Sequence, residues 1–87
     1  MKLFLCKMCT DVQQFNRQRR TCSCGATWGE LKKDHDSVLC SKEAVVIGVS
    51  NLVLMTAIVT RNRPDNLSKV DAWVFPDDYR KVERADK

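Results

Sequence analysis

Two short cysteine clusters, Cys6-Lys7-Met8-Cys9 and Cys22-Ser23-Cys24-Gly25, decide how this 87-residue chain folds. Twelve residues separate them, and each cluster supplies two thiols from one tight turn. Four thiolates arranged as two such pairs suit the tetrahedral coordination of Zn²⁺. Gly25 follows the second pair and can adopt the positive φ that turns backbone N–H groups toward sulfur. The spacing therefore predicts a zinc site formed by Cys6, Cys9, Cys22 and Cys24.

Some details of the clusters qualify this match. The second pair is Cys-x-Cys rather than Cys-x-x-Cys, and Thr10 stands where many such turns have glycine. Disulfides and redox chemistry are the alternatives, but a redox Cys-x-x-Cys needs a βαβ context that this sequence lacks. The nearby cations Lys7, Arg19 and Arg20 are expected to lower the thiol pKa values, which favours thiolates and metal binding.

The N-terminus bears on the redox state of these cysteines. Its apolar run, residues 3–5, is three residues long, whereas a secretory signal needs roughly 7–15 apolar residues. We therefore expect a reducing, cytoplasmic location. In a reducing compartment, clustered cysteines are more often metal ligands than disulfides.

The composition is typical of one small globular domain. Apolar residues make up 44% of the chain and charged residues 30%, which argues against disorder and for a well-solvated surface. A chain this short buries only about two-thirds of its unfolded surface, so zinc is expected to supply stability that the core lacks. We expect a single domain over residues 1–87, with a zinc-ribbon part at 1–33 and the remaining elements at 34–87.

Hydrophobic alternation predicts short strands along most of the chain. We expect a hairpin from residues 12–15 and 19–22, a strand at 26–31, a second hairpin from 38–40 and 44–49, and a strand at 70–75. Pro76, Asp77 and Asp78 predict a short C-terminal helix over residues 77–84. The predicted fold class is α+β, a small zinc ribbon with an antiparallel β-sheet and one or two short helices.

A helix is also predicted over residues 51–61. Ser50 is a favourable N-cap, Arg61 falls in the last turn, and Pro64 lies just beyond. Because this helix is apolar on nearly every side, we expect it to be buried.

The helix belongs to an uncharged run of 17 residues, 44–60. A membrane-spanning helix needs about 20. Gly48 and the pair Ser50 and Asn51 interrupt the run near its middle, so a strand followed by a helix explains it equally well. Moved into lipid, it would leave the rest of the chain almost without a core. We assign it to the core and expect no membrane association.

Basic residues concentrate in the cysteine-rich third. The chain carries a formal charge of +4, while residues 1–33 hold seven basic and two acidic side chains, a charge of +5. Zinc bound by four thiolates carries −2, which would lower the whole chain to about +2. Phe15 and Trp28 are candidates for stacking on bases. The candidate nucleic-acid-binding cations are Arg17, Arg19, Arg20, Lys32 and Lys33. The alternative is an ordinary solvated face with both aromatics in the core.

Three further features have simple explanations. Cys40 follows apolar residues and is expected to be a buried, unliganded thiol. His35 lies between two aspartates in a polar turn and is expected to be solvated. Ser50 and Asn51 would offer free N–H groups to a small anion, although an ordinary N-cap accounts for them.

From Cys6 to about Ile58 the order of features resembles a loose group of short, mostly uncharacterised bacterial and phage zinc-ribbon proteins. The matching pieces are Cys6-Lys7-Met8-Cys9, Arg20-Thr21-Cys22-Ser23-Cys24-Gly25, Gly29, Asp34-His35-Asp36 and Ile47-Gly48-Val49-Ser50-Asn51. Cys40 departs from the pattern, which has a small turn residue nearby. The resemblance implies a metal site and a fold, but no activity.

No catalytic pattern is present in the sequence, and zinc held by four cysteines leaves no coordination position for substrate. We therefore expect a binding protein rather than an enzyme, with no small-molecule substrate. The leading hypothesis is a zinc-ribbon module that engages nucleic acid or a nucleic-acid-associated protein. The alternative is a phage-type accessory protein that binds and blocks a host protein, with a small anionic ligand as a third option. The oligomeric state stays open.

Overall fold

The computed structural model describes residues 1–62 and 69–85. Its elements are β1 (Lys2–Leu5), β2 (Val12–Gln14), β3 (Arg20–Thr21), β4 (Trp28–Leu31), β5 (Val38–Cys40), β6 (Val45–Val49), α1 (Asn51–Val59), β7 (Ala72–Val74) and β8 (Val82–Arg84). The described part of the chain is therefore mostly β, with two four-stranded sheets and a single short helix. This fits the predicted α+β class in part.

The two sheets take strands from both halves of the sequence. Sheet I has the order β2-β1-β6-β7 and is antiparallel throughout. Sheet II has the order β3-β4-β5-β8, in which β5 and β8 run parallel. The chain leaves sheet I after β2, returns to it for β6 and β7, and ends in sheet II. Each sheet is thus completed by residues distant in sequence.

The core lies where side chains of the two sheets meet. Its buried members are Phe4, Phe15, Val38, Cys40, Ala44, Val46 and Val82. The rings of Phe4 and Phe15 lie 5.1 Å apart, centroid to centroid. A Cβ on Gly29 would stand 2.5 Å from a ring carbon of Phe15 and 2.9 Å from one of Phe4. Strand β4 can approach both rings only because residue 29 has no side chain.

Both predicted hairpins are wrong in their pairing, although the strands themselves form. β2 pairs with β1, and β3 pairs with β4. β5 and β6, expected to form one hairpin, belong to different sheets. For the first of the two, the physical reason is that each cysteine cluster is itself the tight turn of a hairpin. The β1–β2 hairpin closes around the first cluster and the β3–β4 hairpin around the second.

The predicted C-terminal helix is also wrong. Residues 77–81 make turns, with the Tyr79 N–H donating to the Pro76 carbonyl at 3.1 Å, and β8 follows. Extended backbone places Val82 beside Val38 in the core. The Arg84 guanidinium donates to the carbonyl of Ala44 at 2.6 Å. Burial and these hydrogen bonds outweigh the weak helix signals of such a short segment.

Helix α1 forms where it was predicted, but its predicted burial is wrong. Ser50 is the N-cap and accepts a hydrogen bond from the Val53 N–H. No α1 side chain is buried, and Leu52 and Val59 are 78% and 76% exposed. The buried core is made instead by residues in the strands or directly beside them. Pro64, the predicted stop signal, lies outside the described residues.

Among the described residues, no helix has the length and apolar character needed to cross a bilayer.

Candidate metal centre

The first cysteine cluster forms a tight turn, the first knuckle, between β1 and β2. The Cys6 N–H donates to the Asp11 carbonyl at 3.0 Å, and the Thr10 N–H donates to the Cys6 carbonyl at 2.8 Å. These bonds close the turn and bring the thiols of Cys6 and Cys9 to the same side. Cys6 is fully buried, and Cys9 is half-buried.

The second cluster forms an equivalent turn, the second knuckle, between β3 and β4. The Cys22 N–H donates to the Thr27 carbonyl at 2.9 Å, and the Gly25 N–H donates to the Cys22 carbonyl at 3.0 Å. The Thr27 N–H in turn donates to the Cys22 Sγ at 3.3 Å. Backbone N–H donors directed at sulfur stabilise thiolate, the form that binds metal.

The four predicted ligands come together. The Sγ atoms of Cys6, Cys9, Cys22 and Cys24 all lie within 4.8 Å of one another. Cys24 Sγ is 3.7 Å from Cys6 Sγ and 3.6 Å from Cys22 Sγ. Tetrahedral coordination with metal–sulfur bonds of about 2.3 Å requires sulfurs about 3.8 Å apart. The two shorter separations are close to the edge of such a tetrahedron, and all of the sulfurs lie near enough to one another for the cluster to hold a metal ion.

The thiols of this cluster do not ionise alike. A hydrogen bond from Thr27 is the largest cause that lowers the pKa of Cys6, to about 6. The Ala26 backbone N–H lowers the pKa of Cys24, but the Cys22 thiol, burial and the remaining thiols outweigh it and raise this pKa to about 12. Four adjacent thiolates repel one another, and a bound divalent cation removes that penalty.

Asp11 connects the two knuckles, a role that sequence reasoning missed. Its Oδ2 accepts hydrogen bonds from the Ser23 N–H at 2.9 Å and the Ser23 hydroxyl at 3.0 Å. It also accepts from Gln13 Nε2 at 2.9 Å. Hydrogen bonds from Gln13 and then Ser23 lower the pKa of the Asp11 carboxyl. The only sequence signal is an aspartate just after the first knuckle, and nothing local identifies Ser23 as its partner.

The other two candidates for metal chemistry lie apart from the cluster. Cys40 is fully buried in the core, and burial raises the pKa of its thiol, with Arg84 opposing. His35 is exposed and lies 3.1 Å from Arg17, Nε2 to Nη1. Within residues 1–62 and 69–85, the four-cysteine cluster is the one group of potential metal ligands that converges.

Three of the predicted nucleic-acid-binding cations line one groove of about 490 Å³, here called the Arg17 groove. Its residues are Arg17, Glu30, Leu31, Lys32, Lys33 and Asp34. The Asp34 carboxylate is occupied by its own turn, where it accepts from the N–H groups of Asp36 and Ser37. These bonds hold the pKa of Asp34 well below its usual range.

The remaining predicted cations are placed differently. The Arg19 guanidinium lies 3.6 Å from the Trp28 ring centroid and pairs with Glu30 at 2.6 Å. Arg20 is exposed on β3, opposite Gly29. Phe15 is buried in the core and is not available to stack on a base. Lys7, expected to act on the thiols, instead lies 3.7 Å from Glu43.

Comparison with protein-family models, with curated proteins and with solved structures found no match to this chain.

The two knuckles differ at one strained position, which yields a prediction. Thr10 and Gly25 each follow the second cysteine of their pair and have φ of 59° and 81°. A β-branched residue is costly in this region, by about 1–3 kcal/mol. Thr10→Gly should raise the unfolding free energy by about 1 kcal/mol once the added chain entropy of glycine is subtracted.

The matched variant is Gly25→Ala, which should lower the unfolding free energy by about 1 kcal/mol, although among the described residues only its chain neighbours come within 4 Å of the new Cβ. Urea unfolding at a fixed free-metal concentration measures both, since ligand binding adds to stability. A loss of stability in Thr10→Gly would contradict the prediction and show that the Thr10 hydroxyl bond to the Cys9 carbonyl, 2.6 Å long, dominates.

Removing the link between the knuckles should weaken metal binding. We expect Asp11→Ala to lower metal affinity about 10- to 100-fold, the usual effect of losing a residue that orients metal ligands. Competition with a chromophoric chelator measures this. The control is Asp77→Ala, because Asp77 is 92% exposed and lies 3.5 Å from Arg84. Equal affinity in Asp11→Ala and the unchanged protein would contradict the assigned role.

Proposed function

We propose that this chain is a zinc-stabilised module that binds nucleic acid through the Arg17 groove. The observation that carries the nucleic-acid part is the convergence of Arg17, Lys32 and Lys33 on that one groove. The observation that carries the metal part is the approach of four thiols to within 4.8 Å.

The cluster fits a structural zinc ion better than a catalytic metal ion. Four thiolates fill a tetrahedral ion completely and leave no position for water or substrate, as in structural sites. The two knuckles belong to hairpins of different sheets, so the ion would fasten sheet I to sheet II. In a chain with a core this small, much of the folding free energy would come from the metal.

The zinc assignment predicts one zinc ion per chain. Cys24→Ser should lose stoichiometric zinc and the folded structure, because three thiolates hold the ion less well. Cys24 is the exposed ligand, so this change disturbs no core packing. Elemental analysis together with circular dichroism checks both results.

Cys40→Ala is the matched control. It should retain zinc and lose only about 0.5–2 kcal/mol of stability, as expected for a modest core change. Absence of stoichiometric metal in the unchanged protein, stoichiometric iron instead of zinc, or loss of zinc in Cys40→Ala would each contradict the assignment.

The two carboxylates that line the Arg17 groove already have partners within the chain. Glu30 pairs with Arg19 and Asp34 caps its own turn. Within residues 1–62 and 69–85, the Arg17 side chain contacts His35 rather than a carboxylate. Arg17 and Lys33 are therefore the cations best placed to meet phosphate, which attracts Arg and Lys regardless of sequence.

Ion pairs within the chain reduce the expected affinity. Lys32 lies 3.2 Å from Glu83, and both groups are substantially exposed. Exposed pairs of this kind contribute about 0–1 kcal/mol, so phosphate can compete for Lys32. Arg19 is held against Trp28 and Glu30, which leaves that ring less open to a base. Binding should accordingly be modest and strongly salt-dependent.

Salt dependence provides the test. With three phosphate contacts, binding to single- or double-stranded nucleic acid should weaken about 20- to 40-fold between 50 and 200 mM salt. The combined variant Arg17→Ala, Lys32→Ala, Lys33→Ala should lose that salt response and most of the affinity. Fluorescence anisotropy with labelled oligonucleotides measures both.

The control for this test removes three cations that do not line the groove, Lys42, Lys69 and Arg80. This control variant should keep most of the dependence of nucleic-acid affinity on salt concentration. No binding to DNA or RNA at 50 mM salt would reject the proposal, and equal loss in both triple variants would reject the groove as its site.

A protein partner is the second candidate function, favoured by the exposure of α1. The third, a small anion at the start of α1, has less support because the Ser50 hydroxyl already caps the helix.

A further inference from the structure

Helix α1 carries an exposed apolar stripe. Leu52, Met55 and Val59 follow i, i+3, i+7 spacing and share one side of the helix. Their exposed fractions are 78%, 58% and 76%. On the other side Val53 and Ala57 are half-buried. The three exposed residues, here called the α1 stripe, form an apolar surface of the kind that helices place against grooves or sheets.

Sheet I presents a second apolar surface. Its strands alternate, so that residues such as Phe4 and Val46 face the core and their neighbours face outward. The strand register places the outward residues Leu3, Leu5, Val12, Val45, Ile47 and Val74 on one side. At the two edges of this side, Val12 and Val74 are 46% and 65% exposed. This surface, here called the sheet I face, is therefore open at both edges.

The chain geometry keeps α1 from folding over this face of its own sheet. One residue, Ser50, joins β6 to α1, whereas a chain that reverses onto a sheet usually needs about 2–6 connecting residues. The Ser50 N–H donates to the Asp71 carbonyl at 3.0 Å. Its hydroxyl caps the helix. Ser50 is thus held on both sides, and α1 leaves the end of β6 in a fixed direction.

We propose that the α1 stripe of one copy packs on the sheet I face of a second copy, in a two-fold symmetric dimer. A helix on a sheet is one of the stable layer arrangements, and both halves of it are present on this chain. The contact is made twice, because the helix of each copy covers the sheet I face of the other. An isologous interface requires this reciprocity.

The area involved fits a dimer. The exposed apolar side chains of one α1 offer on the order of 400 Å², and covering two helices and two equal patches of sheet removes about 1,600 Å², a standard interface. A patch of this size is within the range of the largest apolar patch on a typical monomer, and such patches are often functional. Five of the ten large apolar side chains exposed among the described residues belong to these two surfaces, namely Val12, Leu52, Met55, Val59 and Val74. Half of the exposed large apolar residues therefore lie where the dimer would form.

The first test is the oligomeric state of the full, metal-loaded chain by sedimentation equilibrium. We expect a dimer at about 50 µM, in the affinity range of interfaces of this size. Met55→Glu should weaken the dimer at least about 100-fold, because a carboxylate would be buried without a partner. Met8→Glu is the matched control, since Met8 is 81% exposed and lies on neither surface, and it should stay dimeric.

The second test separates this arrangement from helix-on-helix pairing. Val74→Glu damages the sheet I face and should also give monomers. A mixture of Met55→Glu and Val74→Glu chains should recover heterodimers, because the intact helix of one meets the intact sheet face of the other. Two helices packed only on each other would show no such recovery, and that result would overturn the proposal.

Two other outcomes would also overturn the proposal. One is a monomer at about 50 µM that instead sediments with phosphatidylcholine vesicles, which would assign the stripe to lipid. The other outcome is a monomer at the same concentration that does not sediment with the vesicles. Circular dichroism of each variant verifies that β structure is intact, so that a monomer reports on the interface and not on unfolding.

Discussion

The approach of four cysteine thiols from two hairpins is the constraint on which the rest of this structure depends. The first knuckle closes a hairpin of sheet I and the second closes a hairpin of sheet II. Thiolates this close would repel one another unless a cation lay among them, so a metal ion bound there would also join the two sheets. Beyond that junction, the rings of Phe4 and Phe15 pack against Gly29 and extend the contact into the core. Asp11 reinforces the same junction from the polar side by holding Ser23 of the opposite knuckle.

The features that could be predicted from sequence are those fixed by a few neighbouring residues. The spacing of the cysteines is sufficient to indicate which thiols converge, because each pair lies within one turn. The Ser50 cap likewise predicts where α1 begins, since the hydrogen bond to Val53 is local. The sequence also shows that Thr10 replaces the glycine that is usual at this position of the turn. Its positive φ shows that the turn keeps its geometry and imposes the strain on threonine.

The features that sequence reasoning missed depend on partners distant along the chain. Alternation identifies a strand but not its neighbour, so the pairing of β5 with β8, 44 positions apart in register, has no local signal. Val82 is drawn into extended structure by a place in the core rather than by its own segment. The burial of α1 was inferred from its composition, yet composition states only that a helix needs apolar partners. It does not state that they lie in the same molecule.

The uncharged run over residues 44–60 connects these points. Its first part enters sheet I as β6, and the side chains of Val46 in this strand and of Ala44 just before it are buried in the core. Its second part becomes α1, nine residues long with no buried side chain. An isolated helix of nine residues is marginal in water, so capping by Ser50 alone does not account for its persistence. A surface that covers α1 would therefore stabilise the helix as well as the contact. Because the sheet I face includes β1, which leads directly into the first knuckle, metal binding, the fold of sheet I and any assembly through that face are expected to be thermodynamically coupled.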